Sequence, residues 1–182
     1  MTTRVLIVYY TSEGQTARIA NRIADRLRRH GSIVDVRSAE SGPVLEAYDA
    51  IVVGDPIHAV HHSRLVTRFL KGNAAELSSK PTALFQVSLT SANSDSEHTA
   101  TAQQLVHELL ERTGFEPDAV GLFAGALVYT KYGWLKRHFM RAIVKREGGD
   151  LDMSRDFEYT DWDAVDRFAD DFTAIVDGSG VR

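Results

Sequence analysis

The chain alternates five times between a short run of apolar, β-prone residues and a longer segment whose apolar residues recur every three or four positions. "RVLIVYY" (4–10), "AYDAIVVG" (47–54), "TALFQVSL" (82–89) and "VGLFAGALVY" (120–129) are the clear strand candidates, and "IVDVRS" (33–38) is a weaker fifth. Near-continuous apolar character marks strands that are covered on both faces. Between them Ile19, Ile23 and Leu27, then Leu65, Phe69 and Leu70, then Leu105 and Leu109 fall at helical spacing. A last helix shows in Trp162, Val165, Phe168, Phe172 and Ile175. Thr160 is its expected cap, Asp161 and Asp163 suit the positive end of its dipole, and Gly178 is its expected stop. Such an alternation implies right-handed crossovers, and hence an α/β fold with a doubly wound parallel sheet.

The 182 residues, 43% hydrophobic, suffice for one substantial core and not for two. No repeat, low-complexity tract or Pro/Gly-rich linker divides the chain, so a single domain over 1–182 is expected. The N-terminus enters its first apolar run without the pattern of a secretion signal, and a cytoplasmic protein is expected. No apolar run reaches the roughly 20 residues of a membrane span, so membrane contact would have to be peripheral. The absence of cysteine removes disulfides, thiol redox pairs and cysteine-ligated clusters, so any redox chemistry needs a borrowed cofactor. The formal charge of -4 is unevenly spread. Residues 131–147 carry six Lys and Arg against Glu147 alone, a net +5, leaving 15 basic and 24 acidic residues elsewhere. No nucleic-acid partner is expected.

A doubly wound sheet takes its ligands at the carboxyl ends of the strands, near the point where strand order reverses. "TSEGQT" (11–16), directly after the first strand run, occupies that position. Its amides run into a helix N-terminus and can receive an anion, with hydroxyls of Thr11, Ser12 and Thr16 adding bonds to phosphate oxygens. Gly14 allows close backbone approach and an unusual φ. The absence of lysine suits a phosphate that is held and never transferred. Neither G-x-G-x-x-G nor G-x-x-x-x-G-K-[ST] is present. The competing reading is a Ser/Thr helix cap with a glycine turn.

"TSEGQT" resembles the FMN-phosphate loop of flavodoxins. "GALVYTKYGW", the basic segment after it, "GG" at 148–149 and "YTDWDAVDRFA" (159–169) are similar to the flavodoxin-like protoporphyrinogen oxidases, the menaquinone-dependent dehydrogenases of haem synthesis. The likeness runs from Arg4 to about Val176. It implies a five-stranded sheet of order 2-1-3-4-5 and FMN as cofactor. It also implies oxidation of protoporphyrinogen IX with electrons passed to a quinone, at the cytoplasmic face of the membrane. On that resemblance Thr11, Ser12, Glu13, Gly14, Gln15 and Thr16 would hold the phosphate, with the Glu13 carboxylate facing solvent because it stands where many flavodoxins have threonine. Pro56, Ile57 and His58 would approach the flavin from one side, and Ser88, Leu89, Thr90 and Ser91 from the other. No side chain is singled out as catalytic, because the flavin carries the chemistry.

His58, His61 and His62 with nearby Asp55 could suggest a metal, but their spacing matches no compact zinc pattern, and they are read as flanking the flavin pocket. Neither 55–63 nor 88–98 contains Trp, Tyr or Phe, which disfavours an electron carrier that sandwiches its ring and suits an enzyme that stacks a planar substrate there. The carrier and an NAD(P)H:quinone reductase remain the competing activities. The segment 131–155 is read as an inserted basic helix and loop after the fifth strand. In it Phe139 lies on an apolar face, Lys136, Arg137 and Arg141 lie mostly on others, and Trp134 stands at the entrance. Two roles follow, contact with anionic headgroups or attraction of porphyrinogen propionates. The plain alternative is a solvated helix packed on its own core.

Overall fold

A computed structural model of the protein describes residues 2–58, 61–88, 96–127 and 157–178. Five parallel strands, β1 (Arg4–Tyr9), β2 (Ile33–Ser38), β3 (Ala50–Pro56), β4 (Thr82–Ser88) and β5 (Ala119–Ala124), form one sheet in the order β2-β1-β3-β4-β5. The crossovers carry α1 (Gln15–Arg29), α2 (Arg64–Gly72), the single turn α3 (Ala74–Leu77) and α4 (Ser96–Thr113), and α5 (Trp162–Val176) follows the last strand. The expected fold class and strand order are both observed.

Side chains alternate across each strand, so the sheet separates two apolar layers. Val5, Ile7, Ala50, Val52, Ala83 and Phe85 face α1 and α5, while Leu6, Val8, Ile51, Val53 and Leu84 face α2 and α4. Ile19, Ile23 and Leu27 of α1 and Val165, Phe168 and Phe172 of α5 are buried on the first layer, as their spacing predicts. Phe85, Phe123 and Phe168 run through it as a chain of rings, 6.1 and 5.6 Å between centroids, the second pair edge to face.

Gly54 of β3 lies against this chain. A Cβ built there would overlap the fully buried ring of Phe85, closer than any real Cβ contact. Overpacking of a closed core costs about 1–3 kcal/mol. Gly54→Ala is therefore expected to lower the thermal midpoint by roughly 5–10 °C. Part of that loss should return in the Gly54→Ala/Phe85→Leu double variant, read in the same melts.

Several boundaries differ from expectation. β3 begins at Ala50, because residue 49 is held otherwise: the Asp49 carboxylate accepts from the Arg4 amide at 2.8 Å. β5 stops at Ala124. The Gly125 amide donates to Ser88 O (3.1 Å), Gly125 O accepts from Tyr159 N (3.2 Å), and the chain leaves the sheet as β6 (Ala126–Leu127). β6 pairs antiparallel with β7 (Phe157–Glu158). The cap of α5 is Asp161, whose carboxylate accepts from Ala164 N at 3.0 Å. Thr160 instead donates its hydroxyl to Ala124 O at 2.8 Å, tying the helix entrance to the end of β5. Gly178, with φ 72, follows the helix in the left-handed conformation that ends it.

Helices α1 and α5 are also joined on the outside. Arg22 forks onto Asp166 (2.7 and 2.6 Å), Arg26 onto Asp170 (2.6 and 2.8 Å), and His30 reaches Asp170 as well. The Arg26 guanidinium holds the Asp170 carboxyl down to about 2, and Arg22 lowers Asp166. A carboxyl lowered from its ordinary 3.8 stabilises the fold fully above pH 4, and that contribution drains away as pH falls toward about 2. Asp170→Asn should therefore flatten the decline in stability between pH 4 and 2, in urea titrations at each pH. Both side chains are part-exposed, so added salt should shrink the difference.

Candidate functional site

Strand β1 delivers the chain to the carboxyl edge of the sheet beside β3, where the strand order reverses. Tyr10 N extends the ladder to Gly54 O at 3.2 Å, and the turn 11–14 follows. Its shape depends on Gly14, which has φ 100 and stands at the N-terminal cap of α1 with no side-chain cap bond. The Ser/Thr cap reading is thus not what forms. The Thr11 hydroxyl accepts from Gly14 N at 2.9 Å, which closes the turn and leaves the hydroxyl proton free to be donated. Arg18 N reaches Gly14 O at 3.1 Å as the first helical bond. The amides of Gln15, Thr16 and Ala17 precede it and have no acceptor within the helix. Thr16 is 2% exposed, and Glu13 is half-buried instead of facing solvent freely.

The turn after β3 approaches from the neighbouring strand. Pro56 is buried as its last residue, and Ile57 N donates to Val87 O of β4 at 2.8 Å. His58 and His61 exchange backbone bonds of 3.1 and 3.0 Å, closing a tight turn. His58 Nε2 lies 2.6 Å from Ser12 Oγ, so the two turns are bonded to each other. His62 has a different role. Its Nδ1 is 2.6 Å from Asp55 Oδ2, and its Nε2 donates to Leu105 O of α4 at 2.7 Å, with both side chains almost wholly buried. Asp55 Oδ1 accepts from Ser63 N (3.2 Å), and Ser63 caps α2 by accepting from Leu65 N (3.2 Å). Burial pushes the Asp55 carboxyl up, while the His62 and Ser63 bonds pull it back. Among the described residues no group of three ligand-type side chains could hold a metal.

Ser88 ends β4 at the same edge, buried, with its carbonyl on Gly125 N. Leu89, Thr90 and Ser91, and likewise Trp134, Lys136, Arg137, Phe139 and Arg141 of the 131–155 segment, lie outside the described residues. The β6–β7 stem, from which residues 128–156 depart, stands beside the first turn. Gln15 Nε2 donates to Glu158 Oε1 (2.9 Å) and Thr160 Oγ1 (2.8 Å), and Gln15 Oε1 accepts from Arg18 (3.1 Å). Arg18 also pairs with Glu158 at 3.1 Å and lies over the Trp162 ring. The Gln15 side chain is therefore committed to the protein, and only its backbone faces the open turn. Glu158 has no signal in a linear reading, because its partners Gln15 and Arg18 lie far along the chain, whereas Asp55 and His62 stand close in sequence and it is burial that pairs them. An open depression of about 520 Å³ beside α2, lined by Pro43, Val44, Leu65 and Arg68 among others, shares no residue with these turns.

The site thus offers a positive-φ turn, three amides at a helix start that have no acceptor within the helix, and two hydroxyls, with a bonded second turn alongside. That donor set fits a phosphate at the turn and a planar group laid across the tips of β3 and β4.

Comparison with known proteins agrees. The flavodoxin domain family matches residues 6–154. A protoporphyrinogen IX dehydrogenase [quinone] of Leishmania major is 35% identical over 176 residues, covering 94% of this chain and 75% of that protein. The enzyme of the same name from Escherichia coli (strain K12) is 32% identical over 176 residues, covering 96% and 97%. In fold, the oxidised flavodoxin 1 of Bacillus cereus superposes with a TM-score of 0.54 at 16% identity, over 94% of this chain and 97% of that one. A short-chain flavodoxin associated with a bacterial microcompartment gives 0.55 at 14% identity, over 96% and 99%.

Proposed function

The chain belongs to the flavodoxin domain family, among the relatives named protoporphyrinogen IX dehydrogenase [quinone], and on that premise we propose that it oxidises protoporphyrinogen IX with FMN as cofactor and a quinone as electron acceptor. The observation that carries the reading is the Gly14 turn, which leads into the N-terminus of α1 at the β1/β3 reversal point. FMN bound there supplies the electron transfer between the two substrates. The amides of Gln15, Thr16 and Ala17 receive its phosphate, and the Thr11 and Thr16 hydroxyls add donors. Ser12 and His58 keep the phosphate turn and the turn after β3 in one register. The lack of Trp, Tyr and Phe in 55–63 and 88–98 supports an open ring face over the sandwich of an electron carrier.

The test is anaerobic mixing of FMN-loaded protein with protoporphyrinogen IX, followed by a menaquinone analogue. The expected result is flavin bleaching with a rise in porphyrin fluorescence, then return of the flavin colour on adding the quinone. Bleaching by NAD(P)H but not by protoporphyrinogen would replace this reading with that of an NAD(P)H:quinone reductase.

Both substrates are apolar or amphipathic, and the net +5 of residues 131–147 supports a peripheral encounter with an anionic membrane at the cytoplasmic face. No helix among the described residues is long and apolar enough to cross one. Binding to vesicles containing an anionic lipid should fall with salt, and should be lost when Lys136, Arg137 and Arg141 are replaced by serine. Indifference to both changes would leave the segment a solvated helix.

A further inference from the structure

We infer that Glu158 is a positioning residue for the phosphate turn, acting through Gln15, so that occupation of the turn by phosphate and pairing of β6 with β7 are energetically coupled. The inference rests on the FMN reading above.

The Gln15 carboxamide is almost fully buried, with both Nε2 protons donated and its Oε1 accepting from Arg18. Its orientation is fixed by its partners. Thr160 spends its own proton on Ala124 O, so it must accept from Gln15 Nε2, and Arg18 can only donate to Gln15 Oε1. Gln15 is also the first residue of α1, and its backbone amide is one of the three first-turn donors with no acceptor within the helix. A side chain locked on three partners therefore sets where that amide points. Of those partners, Glu158 belongs to β7, whose pairing with β6 forms the stem of the 128–156 segment. The same stem is tied to β4 through Gly125 and Ser88.

The two bonds of Glu158 are unequal. Its ion pair with Arg18 joins side chains that are 34% and 58% exposed, and such pairs are weak and screened by salt. Its bond from Gln15 satisfies a buried donor, and a buried amide left without an acceptor costs far more. Removing the acceptor frees Gln15 to rotate and loosens the first turn of α1. Linkage then requires the converse: whatever binds the turn stabilises the stem by the same free energy.

Titration of the apoprotein with FMN and with riboflavin, which lacks the phosphate, tests this. Glu158→Ala should raise the FMN Kd about tenfold, equivalent to about 1.4 kcal/mol. The riboflavin Kd should stay within about twofold, since bonds to the phosphate alone depend on the turn. Glu158→Gln keeps an acceptor for Gln15 and loses only the ion pair, so its FMN Kd should stay within about threefold of the original. In hydrogen exchange, FMN and not riboflavin should slow the amides of 125–127 and 157–159, and the difference should vanish in Glu158→Ala. Equal weakening of both ligands, or no weakening of either, would overturn the inference, as would stem amides that respond alike to both. Failure of the unaltered protein to bind FMN would instead overturn the proposed function itself.

Discussion

Gly14→Val should raise the FMN Kd by at least about a hundredfold while the protein still folds. At φ 100 a β-branched residue meets its own backbone, and holding such a conformation costs roughly 1–3 kcal/mol. The chain relieves that strain by changing φ at the helix cap, the residue whose carbonyl starts the α1 ladder and whose amide closes onto Thr11. The amides of Gln15, Thr16 and Ala17 then no longer converge, and a phosphate loses bonds to three donors at once. Each bond to a charged group contributes about 1.5–3 kcal/mol, so even partial loss exceeds the 2.7 kcal/mol or so that a hundredfold change requires. FMN fluorescence titration gives the affinity, and circular dichroism of the apoprotein shows that the sheet survives. An unchanged FMN Kd would mean that the phosphate is held elsewhere.

The second large effect concerns stability, and two substitutions at one position separate its causes. Asp55→Ala leaves His62 Nδ1 and Ser63 N without their partner in the interior, and breaking a buried pair from one side costs about 3–5 kcal/mol. Urea unfolding should register that loss. Asp55→Asn should cost about 1 kcal/mol or less. Its amide can donate to Nδ1 of a neutral His62 whose Nε2 proton stays on Leu105 O, and its carbonyl can still accept from Ser63 N. Equal losses from both substitutions would show that the pair needs a full carboxylate facing an imidazolium. Because Asp55 immediately precedes Pro56, Ile57 and His58, a loosened pair should also weaken FMN binding.

Much of the fold was legible because burial on a strand or helix is periodic. Ile19, Ile23 and Leu27, or Val165, Phe168 and Phe172, mark one helix face whatever lies opposite. The turn proposed to hold phosphate was legible for a related reason. Its donors are mostly backbone groups, and a glycine between a strand and a helix announces them locally. The roles of individual side chains were less so. Thr160 and Asp161 are both ordinary capping residues, and only the nearness of Ala124 and Gln15 assigns Thr160 to the sheet and the cap to Asp161. Gln15 read as a phosphate ligand and proved a strut through its side chain, since its partner Glu158 lies 143 positions away. His62 stood in a row with His58 and His61 until burial beside Asp55 separated it from them.

By itself the sequence determined the parallel α/β sheet, the glycine turn between its first strand and first helix, and the family, because each is written in spacings of a few residues. Tertiary structure alone decided which of the turn's side chains are bonded within the protein and brace it. A side chain's task depends on which donors and acceptors surround it, and those neighbours are brought together by chain segments far apart in sequence.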